Sequence, residues 1–270
     1  MQISQFHVDA FTDKLFSGNP AAVCPLEAWL PEDAMLAIAA ENNLSETAFF
    51  VSEGDGYRLR WFSPVSEVRL CGHATLASAF VIFRYLRHGL KSVTFHTRSG
   101  KLIVAEEERG IVLDFPAIPH RASAEPPQDL IQGLGLTPQI VLETGASALE
   151  RNYFAVYERE EQVRELRPNM ECLAKLHPAG ACVTAPGNHA DFVSRYFVPS
   201  YGVPEDPVTG STHCTLGPYW SERLSKPVLH ARQISTRGGT LLVEPRGERV
   251  RITGNAMLYA NGTITLRATG

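Results

Sequence analysis

The chain contains no C-x-x-C pair, no H-E-x-x-H and no Walker A sequence. Its five cysteines stand at 24, 71, 172, 182 and 214, an odd and scattered set that argues against a disulfide framework or a structural zinc site. The nine histidines are dispersed, with no H-x-H. "GLGL" at 133–136 falls short of a dinucleotide fingerprint. No cofactor and no metal is therefore implied, and any chemistry falls to side chains. No run of basic residues exists and the net charge is −4, which argues against nucleic acid or an anionic membrane as partner. The longest uncharged apolar stretch, "LCGHATLASAFVIF", is too short and too polar at its start to span a bilayer. "MQISQFHVDAF" at the start lacks the pattern of a signal peptide. A soluble, cytoplasmic protein is the expectation.

What is present is ordinary globular material: 270 residues, 44% hydrophobic and 20% charged, enough for one large or two medium domains. The chain also repeats itself. "RWFSP" at 60–64 returns as "RYFVP" at 195–199. Glu67 and Gly72 of the first passage are matched by Glu205 and Gly210 of the second. "TRSGKLIV" at 97–104 is matched by "TRGGTLLV" at 236–243. Three matches in the same order, with offsets drifting only from 135 to 139, indicate two similar halves.

The local patterns agree. Residues 31–42 read as a helix, with Pro31 in its first turn, acids at its start, and Met35, Leu36, Ile38 and Ala39 at helical spacing. A strand over 46–52 follows. "PNMECLAKLH" at 168–177 and then "ACVTA" form the counterpart. "KLIVAEEERGIVLDF" and "TLLVEPRGERVRIT" each read as strand, charged turn, strand. Residues 72–83 and 210–220 contain no charged side chain, so each reads as a helix buried on all sides. The expected fold is α/β, or α+β: two pseudo-symmetric halves, each a curled, mostly antiparallel sheet around a central helix. The boundary falls in the Pro- and Ala-rich stretch 115–127. The halves are assigned as 1–116, joined by a terminal strand at 260–270, and 117–259.

Two such halves would leave a cleft between them, with both helix starts pointing into it. The free amides and positive dipole ends there favour an anion, and a carboxylate ligand is the natural expectation. Those starts carry Cys71, Gly72 and His73 in one half and Thr209, Gly210 and Ser211 in the other. Each residue has a plain reading beside a functional one. Glu46 is either a cap or turn residue, or a carboxylate against apolar walls whose pKa desolvation raises toward general acid/base work. His73 is either structural or a proton relay. Asp206, before Pro207, is either turn chemistry or a partner for His73. Ser211 is either a first-turn polar residue or a carboxylate binder. Cys71 is either a small hydrophobe or a thiol made acidic by a helix start. The other four cysteines read as packing.

Taken together, "AFTDKLFSGNPAAV", "NNLSETAFF", "RWFSP", "CGHATLASA" and "YGVPEDPVTGS" resemble the PhzF-like family, named for the isomerase of phenazine biosynthesis. The matches run from residue 6 to about 217. The resemblance implies a diaminopimelate epimerase-like fold. It also implies a homodimer that acts without cofactor or metal, moving a proton on a small carboxylate-bearing metabolite. It makes Glu46 the proton shuttle, with His73 and Asp206 as catalytic partners. Asn19, from "GNP", would lie near the ligand, and Gly72, Cys71, Gly210 and Ser211 would bind substrate.

Two departures matter. The two-thiol racemases related by fold place a cysteine at each helix start, whereas this chain has Cys71 and Thr209, and threonine is a poor base. "GHATL" also replaces the "GHP" of many members. Two other readings stand beside the isomerase: an amino-acid epimerase or lyase using Cys71 with Glu46, and a non-catalytic binding module on the same fold.

Overall fold

The computed structural model describes residues 1–145 and 151–266. The chain divides into two compact units, Met1–Phe115 with the segment from Ile252 onward, and Pro116–Arg251. Of the terminal strand expected at 260–270, residues 267–270 lie outside the described residues. No helix among the described residues is long and apolar enough to cross a membrane.

The first unit runs β1 (Gln2–Ala10), β2 (Asn19–Leu26), α1 (Glu32–Asn42), β3 (Glu46–Glu53), β4 (Gly56–Phe62), the short β5 (Glu67–Val68), α2 (Gly72–Val81), β6 (Ser92–Thr97), β7 (Gly100–Glu107) and β8 (Gly110–Pro116). β1 pairs antiparallel with β2, β2 parallel with β3, β3 antiparallel with β4, β4 parallel with β6, and β6 antiparallel with β7. α1 makes the crossover between the parallel strands β2 and β3. It buries Met35, Ile38 and Ala39 against Cys24, Phe49 and Phe62. The helix begins at Glu32, with Pro31 as the flanking residue and not in the first turn.

α2 is the central helix. Every residue from Gly72 to Ala79 is buried, and it packs on β1, β2 and β3. A helix so placed cannot send polar side chains to water. Thr75 donates its hydroxyl to the Cys71 carbonyl, and Ser78 donates to the Ala74 carbonyl at 2.7 Å. The helix then widens into a π turn over Ile82–Leu86.

The second unit runs β9 (His120–Ala122), α3 (Gln128–Leu134), β10 (Ile140–Thr144), β11 (Tyr153–Val156), α4 (Glu160–Glu165), α5 (Met170–Ala174), β12 (Ala181–Pro186), β13 (Phe192–Val198), β14 (Val203–Asp206), α6 (His213–Leu224), β15 (Leu229–Gln233) and β16 (Gly239–Arg246). Its pairings repeat those of the first unit: β10–β11 antiparallel, β11–β12 parallel, β12–β13 antiparallel, β13–β15 parallel and β15–β16 antiparallel. β17 (Arg249–Gly254) carries the chain back to the first unit, where β18 (Ala256–Thr265) pairs antiparallel with β1 along its whole length. The fold is thus mixed α/β, two units of one topology, each with a mostly antiparallel sheet and a central helix.

Two expectations change in the second unit. The helix read from Gly210 begins at His213, because the amides of His213, Cys214 and Thr215 bond three residues back, to Gly210, Ser211 and Thr212, in a tight turn. It is not buried all round either, since it continues to Leu224 and its last turn exposes Glu222 and Arg223. The helix read over 168–177 is only α5, capped by Asn169, whose side chain accepts from the Cys172 amide at 3.1 Å.

The repeated pentapeptide has a physical reason. Arg60 reaches from β4 to β5, and its Nε and Nη2 donate to the two oxygens of Glu67 at 2.8 and 2.7 Å. Arg195 does the same from β13 to Glu205 on β14, at 2.8 and 2.9 Å. Each guanidinium lies over the phenylalanine two residues on, Phe62 at 5.1 Å and Phe197 at 4.9 Å. In both units the glycine of the following turn stands five residues after the glutamate. Arginine and glutamate are seven residues apart in the first unit and ten in the second. The three extra residues fall between Pro199 and Glu205, where the chain makes the 3₁₀ turn Pro199–Tyr201, and they account for the drift of the repeat offset from 135 to 138.

Arg195 also donates to the carbonyls of Val163 and Leu166 at the end of α4, at 3.1 and 3.0 Å. Arg195→Ala strands Glu205 and both carbonyls. It is expected to lower unfolding free energy by about 3 kcal/mol, the scale for breaking a largely buried pair. Arg195→Lys should recover little, because an ammonium cannot make the two-pronged contact. Urea denaturation of the two variants checks this, and an Arg195→Ala loss under roughly 1 kcal/mol would place the pair among weak surface pairs.

Candidate active site

The site begins with strand ends. β2 and β3 run parallel and start at the same edge of the sheet, with Ala21 opposite Glu46. Asn19 is the first residue of β2 and is fully buried. Its position depends on Gly18, at φ 73°, where a Cβ would stand 2.2 Å from the Ala10 carbonyl oxygen. Glu46 is the first residue of β3, its side chain one-fifth exposed. Thr47, Ala48 and Phe49 behind it are all buried.

The start of α2 faces these strand ends. Glu46 Oε2 lies 3.0 Å from His73 Nε2. On the other side of the ring, Asn19 Nδ2 lies 3.2 Å and Cys71 Sγ 3.5 Å from His73 Nδ1. Cys71 flanks the helix with extended backbone, and the Ala74 amide points at its sulfur. Gly72 is the first helical residue. Five sequence candidates, Asn19, Glu46, Cys71, Gly72 and His73, are therefore together in the first unit.

Electrostatics separates the thiol from the imidazole. Burial, and then the Glu46 charge, push the Cys71 thiol up to about 11, against smaller opposing effects from His73 and the Ala74 amide. Burial alone would lower the His73 pKa, but the neighbouring Cys71 and Glu46 outweigh it and the net direction is well upward. Cys71 is thus held as a thiol at neutral pH. The arrangement is a carboxyl group at the solvent side and an imidazole behind it, with the amide of Asn19 and the Cys71 thiol completing the wall.

The remaining candidates share a loop in the second unit. Asp206 closes β14, and Gly210 and Ser211 lie in the turn before α6, Gly210 buried and Ser211 exposed. Asp206 accepts from the Thr209 hydroxyl. Sequence reading missed what holds this loop. Gln233, buried at the end of β15, donates to the Asp206 carbonyl at 2.7 Å and accepts from the Thr209 amide at 2.9 Å. Ser235 donates to the Pro207 carbonyl at 2.7 Å. His213 was missed too. It is fully buried against Phe192, with Nδ1 bonded to the Thr209 carbonyl at 2.8 Å. A glutamine in a strand has no spacing signature. His213 stood in the charge-free run, where its bond back to residue 209 repeats the one Thr75 makes to Cys71.

Comparisons with known proteins follow this geometry. A family model described as phenazine biosynthesis-like protein (PhzC-PhzF) matches residues 8–262. A relative from Pseudomonas aeruginosa, named an uncharacterized isomerase, is 49% identical over 98% of this chain and 100% of its own. The crystal structure of a PhzF-family phenazine biosynthesis protein from Enterococcus faecalis superposes with a TM-score of 0.91 at 44% identity, covering 98% of this chain and 100% of that one. A probable proline racemase from Agrobacterium radiobacter shares the fold, with a TM-score of 0.65 at 10% identity over 99% of this chain and 94% of its own.

Burial depresses the His213 pKa from 6.5 to about 4, against the smaller upward pull of its bond to Thr209. Between those values the unfolded chain binds a proton that the folded chain refuses. Stability therefore falls as pH drops through this window, by about 3 kcal/mol for a shift of this size. Denaturant unfolding from pH 7 to 4 should show the slope in wild type and a flatter one in His213→Gln, whatever that variant's absolute stability. Equal slopes would remove His213 as the cause.

Proposed function

Because the chain belongs to the phenazine biosynthesis-like (PhzC-PhzF) family, we propose that it is an isomerase that moves a proton by general acid/base catalysis on a small carboxylate-bearing metabolite, cyclic or an amino acid, without a cofactor. An isomerase- or epimerase-type function is what the similar proteins support. The observation that carries the finer reading is the Glu46 carboxyl group 3.0 Å from the ring of a buried His73.

In this mechanism Glu46 takes a proton from an activated carbon of the substrate. The electron pair left behind delocalises into the adjoining π system. Glu46, now a carboxylic acid, returns the proton at another carbon, so no atom is gained or lost. His73 donates Nε2–H to Glu46 and fixes its orientation while the carboxylate changes charge. Asn19 and the first-turn amides at Gly72 give the wall polar donors. The same reading gives Asp206 a catalytic part and Gly210 and Ser211 a substrate-binding part, each open to its own substitution.

A base at Cys71 is the second reading. Its thiol, pushed up to about 11 and 6% exposed, is poorly placed to be a thiolate at neutral pH. The matching position of the second unit is Thr209, which leaves no second thiol for a two-base racemase.

The test needs no prior substrate. The protein and its Glu46→Gln variant are incubated with a small-metabolite extract in deuterated water, and mass spectrometry searches for metabolites that gain one mass unit. The expected outcome is a gain with wild type and, with Glu46→Gln, a loss of at least a hundredfold in rate, the scale of one general acid/base group. Full turnover in Glu46→Gln would overturn the assignment. No gain in either would favour a binding module.

A further inference from the structure

Each group around the His73 ring has a fixed hydrogen-bonding character. Glu46 Oε2 lies 3.0 Å from Nε2, and a carboxylate can only accept, so Nε2 carries a hydrogen. Asn19 Nδ2 lies 3.2 Å from Nδ1, and an amide nitrogen can only donate. Cys71 Sγ lies 3.5 Å from the same Nδ1, and its thiol also has a hydrogen to give. Nδ1 therefore presents a lone pair, and the ring is a neutral imidazole in one tautomer. Burial opposes a charge on the ring, and the largest pull against burial, that of Cys71, needs a thiolate that the buried thiol does not supply. His213 in the second unit has the reverse arrangement. Its Nδ1 lies 2.8 Å from the Thr209 carbonyl, which only accepts, so there Nδ1 carries the hydrogen.

We propose that Asn19 is a positioning residue: its side-chain amide locks His73 as the neutral Nε2–H tautomer, so that Glu46 meets a hydrogen-bond donor and not a cation. The lock is firmly mounted. Asn19 is fully buried, pairs with Ala10 across the β1–β2 ladder, and follows Gly18, where the left-handed backbone and the close Ala10 carbonyl leave no room for a side chain. The consequence for the chemistry rests on the proton-transfer reading. A cation 3.0 Å away would hold Glu46 as the carboxylate and oppose the proton that it must take up. A neutral N–H donates to the carboxylate before the transfer and to the carbonyl oxygen of the acid after it. His73 then keeps its own hydrogen through the cycle and is a fixed donor, not a relay.

The test is heteronuclear NMR at neutral pH on full-length protein with nitrogen-labelled histidine, using His73→Gln to identify the His73 signals among the nine histidines. The expected spectrum shows His73 Nδ1 as an unprotonated nitrogen and Nε2 as an N–H, with His213 as the mirror case in the same sample. Asn19→Asp replaces the donor by an acceptor, so Nδ1 should gain a hydrogen and the ring a charge. Deuterium incorporation into whichever metabolite the wild type labels should then slow roughly tenfold or more, since one half of the acid/base cycle is opposed. Should Asn19→Asp fail to fold, Asn19→Ala decides, with Nδ1 moving toward the position of a nitrogen that accepts no hydrogen bond. The lock is overturned if wild-type His73 carries a hydrogen on Nδ1, or if the folded variant leaves the Nδ1 signal unmoved. A charged ring in Asn19→Asp with exchange unslowed would overturn the positioning role. A wild type that shows the tautomer but labels no metabolite would count against the isomerase reading and leave the lock in place.

Discussion

The two-pronged contact between an arginine and a glutamate is the constraint on which each unit is arranged. In both units it ties a central strand to the short strand beside it, Arg60 to Glu67 and Arg195 to Glu205. That tie fixes the point from which the chain must enter the central helix. Five residues later comes the glycine, and with it Cys71–His73 in one unit and Thr209–Ser211 in the other. A guanidinium fork permits few orientations of its carboxylate, so it sets direction as well as distance. Glu46 and Asn19 can meet His73 only because the helix start lies where this contact puts it.

The two helix starts show what a duplicated frame leaves free to change. In each, the side chain at the fifth motif position binds the carbonyl of the first, Thr75 to Cys71 and His213 to Thr209. The frame is kept with different chemistry. A threonine hydroxyl suits a helix that starts at once, and an imidazole suits one that starts after a tight turn. The positions between them diverge further. The first unit keeps a thiol and an imidazole, which pack with Glu46. The second has hydroxyls, and its loop is held by the carboxamide of Gln233 and the hydroxyl of Ser235.

Much of this was legible in the sequence, because repetition and the absence of charge are patterns that a linear reading can detect. The pentapeptide, the helices at 72–83 and after 210, and the strand–turn–strand pairs all follow from spacing. Glu46, Cys71 and His73 were legible as candidates one at a time. Their convergence was not, because Asn19, Glu46 and His73 meet through a parallel strand pair and a helix that span 54 residues. The start of α6 was misplaced by three residues, since nothing in "TGSTHC" distinguishes bonds three residues back from bonds four back. Gln233 and Ser235 were invisible because their work is done by hydrogen bonds to backbone, which leave no pattern of their own.

The pairing of β1 with β18 joins residues more than 240 positions apart. During synthesis this gives the two units different schedules. The second unit is one continuous stretch and can complete its sheet as soon as it has left the ribosome. The first has its opening strand made at once and that strand's neighbour made near the end. Until then β1 keeps one row of backbone donors and acceptors unpaired, the kind of edge on which another chain can template. The half that carries Glu46 and His73 is thus the half exposed to misassembly for longest, and slower translation of the second half would lengthen that exposure.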